Sequence, residues 1–434
     1  MSTPSVPAPS ASIKVAVIGG GSTYTPELIE GIARRSQRLP VDELTLMDIS
    51  SDRLEVIADF ARRIMGRLGW SGRIKTTKSH EEAIDGASFV LVQLRVGGQQ
   101  ARLSDETVPV RFGTIGQETT GAGGFAKALR TVPVILELAE LTNCRGAAGA
   151  WLVDFTNPVG IVTQALLDEG HRAVGLCNVA IGLQRRLAAR FGVEPDAVQL
   201  GHVGLNHLTW VRQVWVDGVD RLPELLERNA EDMAEEAGGM PVELVRALGA
   251  VPSSYLRYYY CFNDVLREQQ AGKHSRAEEV IDIETRLLEM YRDPTLDVKP
   301  KLLEDRGGAF YSEAAAQLMA SLHDGRGDVQ VVDTRNDGAI PDLPASAVVE
   351  VPAQIDRDGP HPLRTEPLHP DMRALVQHVK GYEELAVQAA ITGDRRTALR
   401  ALLANPLVGR YDIAAPLLEE LLTVNARYLP RFAR

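Results

Sequence analysis

The segment Val15-Ala16-Val17-Ile18-Gly19-Gly20-Gly21-Ser22-Thr23-Tyr24 constrains this chain more than any other. An apolar run ends in three glycines, and Pro26 then suits the first turn of a helix. A strand, a tight turn and a helix start leave free N–H groups where a phosphate is favoured. Tyr24 stands where the third glycine of a dinucleotide fingerprint is expected, so the glycines alone match weakly. Leu44-Thr45-Leu46-Met47-Asp48 adds the second half of the signal. An acid ending the second strand accepts ribose hydroxyls and repels a 2′-phosphate, which favours NAD over NADP. The cofactor site expected here comprises Gly19, Gly20, Gly21, Ser22, Thr23 and Asp48, with Arg53 in the helix that follows. The plainer alternative is a structural glycine turn with Asp48 as a helix cap.

The first half continues in the same alternation. Strands are expected over 13–18, 43–47, 89–94 and 151–155, with helices over 27–35 and 53–68. That order implies a parallel, doubly wound α/β sheet of Rossmann type. The second half is less regular and reads as an α+β substrate and oligomerisation lobe. Helical patterns cover 223–248, 280–291 and 372–403, and strands broken by turns cover 329–351. The division expected is a disordered leader over 1–12, a nucleotide lobe over 13–175 and a catalytic, metal-binding lobe over 176–434.

Charge and cysteine content narrow the setting. With 47 Lys+Arg against 58 Asp+Glu, the net charge of -11 argues against nucleic acid or anionic membrane as a partner. It still allows a local basic pocket. No apolar run is long enough to span a bilayer. The three cysteines, Cys144, Cys177 and Cys261, form no framework pattern, and the leader lacks the apolar core of a signal peptide. A reducing, cytoplasmic location follows as the expectation.

Several further segments carry chemistry. Arg95 leaves a strand end, where ligands bind in open α/β sheets, and can clamp an anion or make a surface ion pair. Glu118 lies inside the glycine-rich stretch 116–124, as a solvated acid or beside a base whose proton affinity it tunes. Asn157 ends another strand before Pro158. Cys177 and His207 can together hold a borderline metal, although two ligands underdetermine a site and each residue also has an ordinary core role. Tyr255 begins an aromatic stretch that is either core or a base near positive charge.

Taken together and in order, these segments resemble glycoside hydrolase family 4, and within it the 6-phospho-β-glucosidases. The likeness rests on 18–26, 116–121, 155–158, 175–179, 204–207 and 255–259, and extends to Arg306-Gly307-Gly308 and Asn405-Pro406-Leu407. The resemblance implies a lactate/malate dehydrogenase-like nucleotide lobe, NAD and a divalent metal, usually manganese, as cofactors, and a homodimer or homotetramer. By position it makes Cys177 and His207 the metal ligands and Tyr255 the catalytic base. Glu118 becomes the acid that raises the basicity of Tyr255, and Arg95, Asn157, Asn178 and Arg276 become substrate contacts. Asn178 stands where the phospho-α-glucosidases often carry an acidic proton donor, which tilts the expectation toward β-linked substrates. Those substrates are phosphorylated disaccharides, such as cellobiose 6-phosphate, or aryl glucosides. Ala180 departs from the usual Pro, and the match around Arg276 is loose. The chemistry implied is oxidation at sugar C3, proton removal at C2, elimination at C1, water addition and re-reduction, outside the usual two-carboxylate scheme. The rivals are another glycosidase of the family (α-glucosidase or α-galactosidase), an NAD-dependent hydroxy-acid dehydrogenase and a non-catalytic sugar-phosphate sensor.

Overall fold

Short, continuously apolar runs bury both faces, so they become central parallel strands. The computed structural model, which describes residues 13–272, 275–308 and 310–433, has six parallel strands here. They are β1 (Ile13–Ile18), β2 (Val41–Met47), β3 (Arg73–Thr77), β4 (Phe89–Val92), β5 (Trp151–Asp154) and β6 (Ala173–Gly175). Five of the six are largely buried in this way, and β3 is an exposed, polar edge strand. The leader expected over 1–12 lies outside the described residues. The spatial order β6-β5-β4-β1-β2-β3 changes direction between β1 and β4. Chains leaving two neighbouring strands in opposite directions open a crevice at their carboxyl ends, which places the ligand site.

The helices beside this crevice start on local signals. Helix α1 (Thr25–Arg34) carries Pro26 in its first turn, and α2 (Ser51–Arg67) is capped by the Ser50 hydroxyl, which accepts from Arg53 N–H. Helices α3 (Gly98–Arg111) and α4 (Gly121–Arg145) follow. The stretch 116–124, expected as a loop, is a loop only as far as Thr120. Gly123 and Gly124 lie in the helix, at positions where neighbouring backbone comes too close for a side chain. A Cβ on Gly123 would lie 2.3 Å from the carbonyl oxygens of both Asp105 and Gln117.

Helix α5 (Asn178–Phe191) leads to an antiparallel hairpin, β7 (Val198–Leu205) and β8 (Leu208–Val216). Its two-residue turn is Asn206-His207, with His207 at φ +61°. The helical stretch expected over 223–248 is three short helices, Leu222–Arg228, Ala230–Glu236 and Val242–Leu248. Asn229 and the run Gly238-Gly239-Met240-Pro241 interrupt it. Helix α6 (Arg276–Tyr291) opens on a Ser275/Glu278 capping box. Strands β9 (Asp328–Arg335), β10 (Val348–Asp356) and β11 (Gly359–Pro362) then return to the first sheet.

The sheet therefore does not stop at the lobe boundary placed near residue 176. Asp333 of β9 pairs antiparallel with Gly175 of β6, giving nine strands in the order β11-β10-β9-β6-β5-β4-β1-β2-β3. The returning strands cover an edge that would otherwise offer unpaired backbone groups. Burial crosses the boundary as well, with Val153 in one cluster with Val332 and Ile355. Among the described residues no helix is long and apolar enough to cross a membrane.

Candidate active site

A cleft of about 1110 Å³ opens beyond the carboxyl ends of β1 and β4. At one end lies the glycine turn. Gly19 and Gly20 donate N–H to Met47 O at 3.0 and 2.7 Å, and Gly21 N–H donates to Asp48 Oδ2 at 3.0 Å. Asp48 Oδ1 accepts from Ser50 N–H at 2.9 Å. A Cβ on Gly21 would lie 2.8 Å from the Asp48 carboxylate. The turn is thus pinned to the end of β2 before any ligand arrives. Tyr24, in the place of the third glycine, hydrogen bonds through its hydroxyl to Gly308 O, tying the turn to the second half. Thr23 Oγ1 is buried there with no partner among the described residues. Gly19, Gly21, Ser22, Asp48 and Arg53 line the cleft, whereas Gly20 and Thr23 lie behind it. Donors at a helix start, an acid at a strand end and a room-sized cleft suit a dinucleotide.

The middle of the cleft holds a buried charge cluster. Arg95 engages Glu118 with both terminal nitrogens, Lys127 Nζ lies 2.7 Å from Glu118 Oε2, and Arg102 Nε lies 3.3 Å from Glu118 Oε1. Burial works against the Glu118 charge, but Arg95, Lys127 and Arg102 hold its carboxyl well below the usual range. One carboxylate cannot satisfy three cations equally. Burial and the neighbouring Arg95 push the Lys127 ammonium down to about 7. Arg95 is therefore a part-buried, cleft-lining partner of the buried Glu118 rather than a free surface ion pair. Lys127 and Arg102 escaped the sequence reading because a lone lysine or arginine on a helix resembles a solvated residue until its partners are known. The spacing of Lys127 from Glu118, across the start of α4, was the available clue.

At the far end, Cys177 caps α5 and is buried, and His207 sits at the hairpin turn. The His207 ring stacks on Tyr255 at 3.7 Å between centroids with an 8° tilt. Burial pushes His207 down to about 4, so the ring is neutral at ordinary pH, and its Nδ1 has no partner among the described residues. The Asn206 side chain reaches Cys177, and Glu350 accepts from Asn206 Nδ2 at 2.7 Å while contacting His202 Nε2 at 2.7 Å. Burial and then Glu350 push the Cys177 thiol well up. A thiolate here needs a cation beside it. Burial, then Cys177, Tyr258 and Glu118, push the Tyr255 phenol up, and Thr119 hydrogen bonds to it. Asn157 Oδ1 is also buried without a partner, and both Asn157 and Asn178 line the cleft.

The structure thus gathers Cys177, His207, Tyr255, Asn157 and Asn178 at one end, with Glu118 and Arg95 adjacent. Arg276, also on the wall, is half-exposed and engaged by Glu279 and Asp305 O. Among the described residues no group of three His, Cys, Asp or Glu side chains is arranged for a metal. The donors nevertheless fit one: a cysteine, a neutral imidazole with a free Nδ1 and an unpartnered amide oxygen nearby. Two protein ligands leave positions for ligand oxygens and water. Glu350 was missed because strand acids carry no local signature. Only the fold brings β10 against the hairpin.

A nucleotide-type cleft joined to a metal-capable Cys/His pair and a buried tyrosine is more than a plain nucleotide fold carries. The models of the family 4 glycosyl hydrolase and of its C-terminal domain match residues 14–193 and 202–408, and the chain belongs to this family. An Escherichia coli (strain K12) protein named 6-phospho-beta-glucosidase is 36% identical, covering 98% of this chain and 98% of its own. The structure of the 6-phospho-beta glucosidase from Thermotoga maritima with manganese, NAD+ and glucose-6-phosphate superposes with a TM-score of 0.89. It is 34% identical and covers 96% of this chain and 99% of its own. Malate dehydrogenase from Plasmodium falciparum, 15% identical with a TM-score of 0.55 over 87% of this chain and 98% of its own, shares the fold alone.

Proposed function

We propose that this chain hydrolyses 6-phospho-β-glucosides, using NAD and a divalent metal, with manganese the preferred ion. The observation that carries the reading is the Tyr255–His207 stack beside Cys177, set across one cleft from the pinned glycine turn. Family membership and relatives solved with NAD, manganese and glucose-6-phosphate support it. Bound NAD supplies reversible oxidation at sugar C3, and a bound divalent cation supplies Lewis-acid polarisation of the sugar oxygens.

The chain's own residues do the rest. Gly19 to Thr23, Asp48 and Arg53 seat the dinucleotide. Cys177 and His207 hold the cation, and Asn206 with Glu350 fixes their surroundings. Tyr255 Oη takes the proton from sugar C2, which a carbonyl at C3 makes acidic. Glu118 adds negative charge within reach of Tyr255 and so strengthens the phenolate as a base. Arg95, Asn157, Asn178 and Arg276 position the phosphosugar, and the remote phosphate contributes binding that orients the reacting carbons. An amide at Asn178 supplies no acid, which suits β-linked substrates. The enzyme works in the cytoplasm as a homodimer or homotetramer, a reading supported by three unpaired cysteines and by the family.

Hydrolysis of an aryl β-glucoside 6-phosphate, with NAD and manganese omitted in turn, tests this reading. It predicts dependence on both without net NADH release. Turnover that ignores NAD would sink it, and preference for an α-linked or unphosphorylated glucoside would move it elsewhere in the family.

A further inference from the structure

One buried carboxylate lies apart from the Tyr255 constellation and has no place in the chemistry above. Glu284, on α6, is 6% exposed and lines the nucleotide end of the cleft. Its Oε2 accepts from Arg53 Nη2 at 3.3 Å, and its Oε1 accepts from Arg306 Nη2 at 2.9 Å, Arg306 Nε at 3.2 Å and Gln99 Nε2 at 3.0 Å. Both arginines also touch the glycine turn. Arg53 Nε donates to Gly21 O at 3.1 Å, and Arg306 Nη2 lies 3.4 Å from Ser22 Oγ. The Arg306 guanidinium further packs over the Tyr24 ring at 5.7 Å. Burial opposes the Glu284 charge, yet Arg306 and Arg53 hold its carboxyl below the usual range.

A donor count shows what is left over. A guanidinium carries five N–H donors in a rigid fork. The contacts above use Nε and Nη2 of both arginines, while Nη1 of neither has a partner among the described residues. One carboxylate from the second half thus fixes two arginines that each keep an unspent Nη1, on the wall of a cleft floored by a glycine turn. Two held NH₂ groups at that spot are free to donate to anionic oxygens, and a diphosphate offers several.

We propose that Arg306 is a binding residue for the pyrophosphate of the dinucleotide, and that Glu284 is the positioning residue that holds Arg306 and Arg53 in place for it. The inference rests on the NAD reading and adds a contribution from the second half of the chain to the cofactor site. It also gives Glu284 a direction of effect. A carboxylate that merely offset positive charge would weaken anion binding, so its removal would tighten NAD. A carboxylate that positions the arginines would strengthen binding, so its removal would loosen NAD.

The test titrates the full chain with NAD, ADP-ribose and adenosine by calorimetry, without metal or sugar, and follows folding by circular dichroism. Arg306→Ala is expected to weaken NAD and ADP-ribose by about tenfold, the scale of one lost charge-assisted contact, with adenosine unchanged. Arg306→Lys keeps the charge but loses the fork, and is expected to weaken NAD severalfold even if the alanine variant fails to fold. Glu284→Gln is expected to weaken NAD severalfold. NAD binding that is unchanged or tighter in Glu284→Gln overturns the positioning role, and wild-type affinity in the folded arginine variants overturns the binding role. Failure of the wild-type chain to bind NAD would instead overturn the cofactor reading itself.

Discussion

The two ends of the cleft are built on opposite plans. At the nucleotide end the backbone is pinned within the protein: Gly19 and Gly20 to Met47, Gly21 to Asp48, and Asp48 to Ser50. At the other end, His207 Nδ1, Asn157 Oδ1 and Ser253 Oγ are buried with no hydrogen-bond partner among the described residues. A buried polar atom left unpaired costs roughly 1–3 kcal/mol. The first end is a rigid cradle whose geometry precedes its ligand. The second is stable only at a cost that a cation and sugar oxygens would offset. The lesson is that a backbone pinned by its own hydrogen bonds marks the end suited to hold a cofactor, although Thr23 Oγ1 there also lacks a partner among the described residues, whereas the far end leaves side-chain donors and acceptors open to a ligand.

Substitutions at the two ends should therefore separate binding from turnover. The largest effect is expected for Tyr255→Phe, which removes the base. Turnover of an aryl β-glucoside 6-phosphate should fall by about 10²–10⁴-fold, the usual worth of a general base, with NAD affinity unchanged. Matching losses in NAD affinity would erase the distinction. Cys177→Ser comes next, with activity falling by at least ~100-fold, since even residues behind metal ligands cost 10–100-fold. Its manganese affinity should fall while the NAD titration is preserved. Full activity in this variant would remove Cys177 from the metal site.

Asp48→Ala tests the cradle. It takes away an acceptor for Gly21 N–H as well as for the ribose, so NAD should weaken by about tenfold and discrimination against NADP should shrink. Manganese affinity should stay as in the wild type. Lys127, between the two ends, gives a pH test. Its ammonium binds a proton less tightly in the fold, at about 7, than at its ordinary 10.5. Between those values the unfolded chain binds more protons, so stability rises with pH there and is flat in this contribution below about 7. The stability difference between the wild type and Lys127→Met, from urea unfolding at pH 6 to 10, should grow in favour of the wild type above pH 7. A constant difference would show that Lys127 keeps its charge. The smallest effect is expected for Ser50→Ala, a lost α2 cap worth ~1 kcal/mol, seen as a lower unfolding midpoint.

The cradle was legible in the sequence because each of its signals is local. Apolar runs such as Phe89 to Val92, a glycine turn and an acid at a strand end follow one another within a few residues. Strand and helix starts in the first half fall within about two residues of those expected, because central parallel strands show no alternation to misread. The far end is assembled from distant segments. The sequence singled out Cys177, His207 and Tyr255, but the motif resemblance rather than spacing gave them a common site. Strands were expected over 329–351, which includes Glu350, but the hairpin that carries His207 and the joining of those strands to the first sheet past residue 176 were not anticipated. The continuation of the sheet depends on β9 pairing with β6 across more than 150 residues of chain, which no local pattern encodes. Lys127 and Glu284 stayed hidden because a charged residue on a helix resembles a solvated one until its partners are known.

The most direct test of the account follows the proton that Tyr255 is assigned. Hydrolysis of a 6-phospho-β-glucoside in D₂O, with NAD and manganese, should yield glucose 6-phosphate carrying deuterium at C2, read by proton NMR. The deuterium should be lost with turnover in Tyr255→Phe. Product released at the full rate with C2 still protonated would mean that the bond breaks without proton removal at that carbon, and would contradict the role given to the Tyr255 end of the cleft.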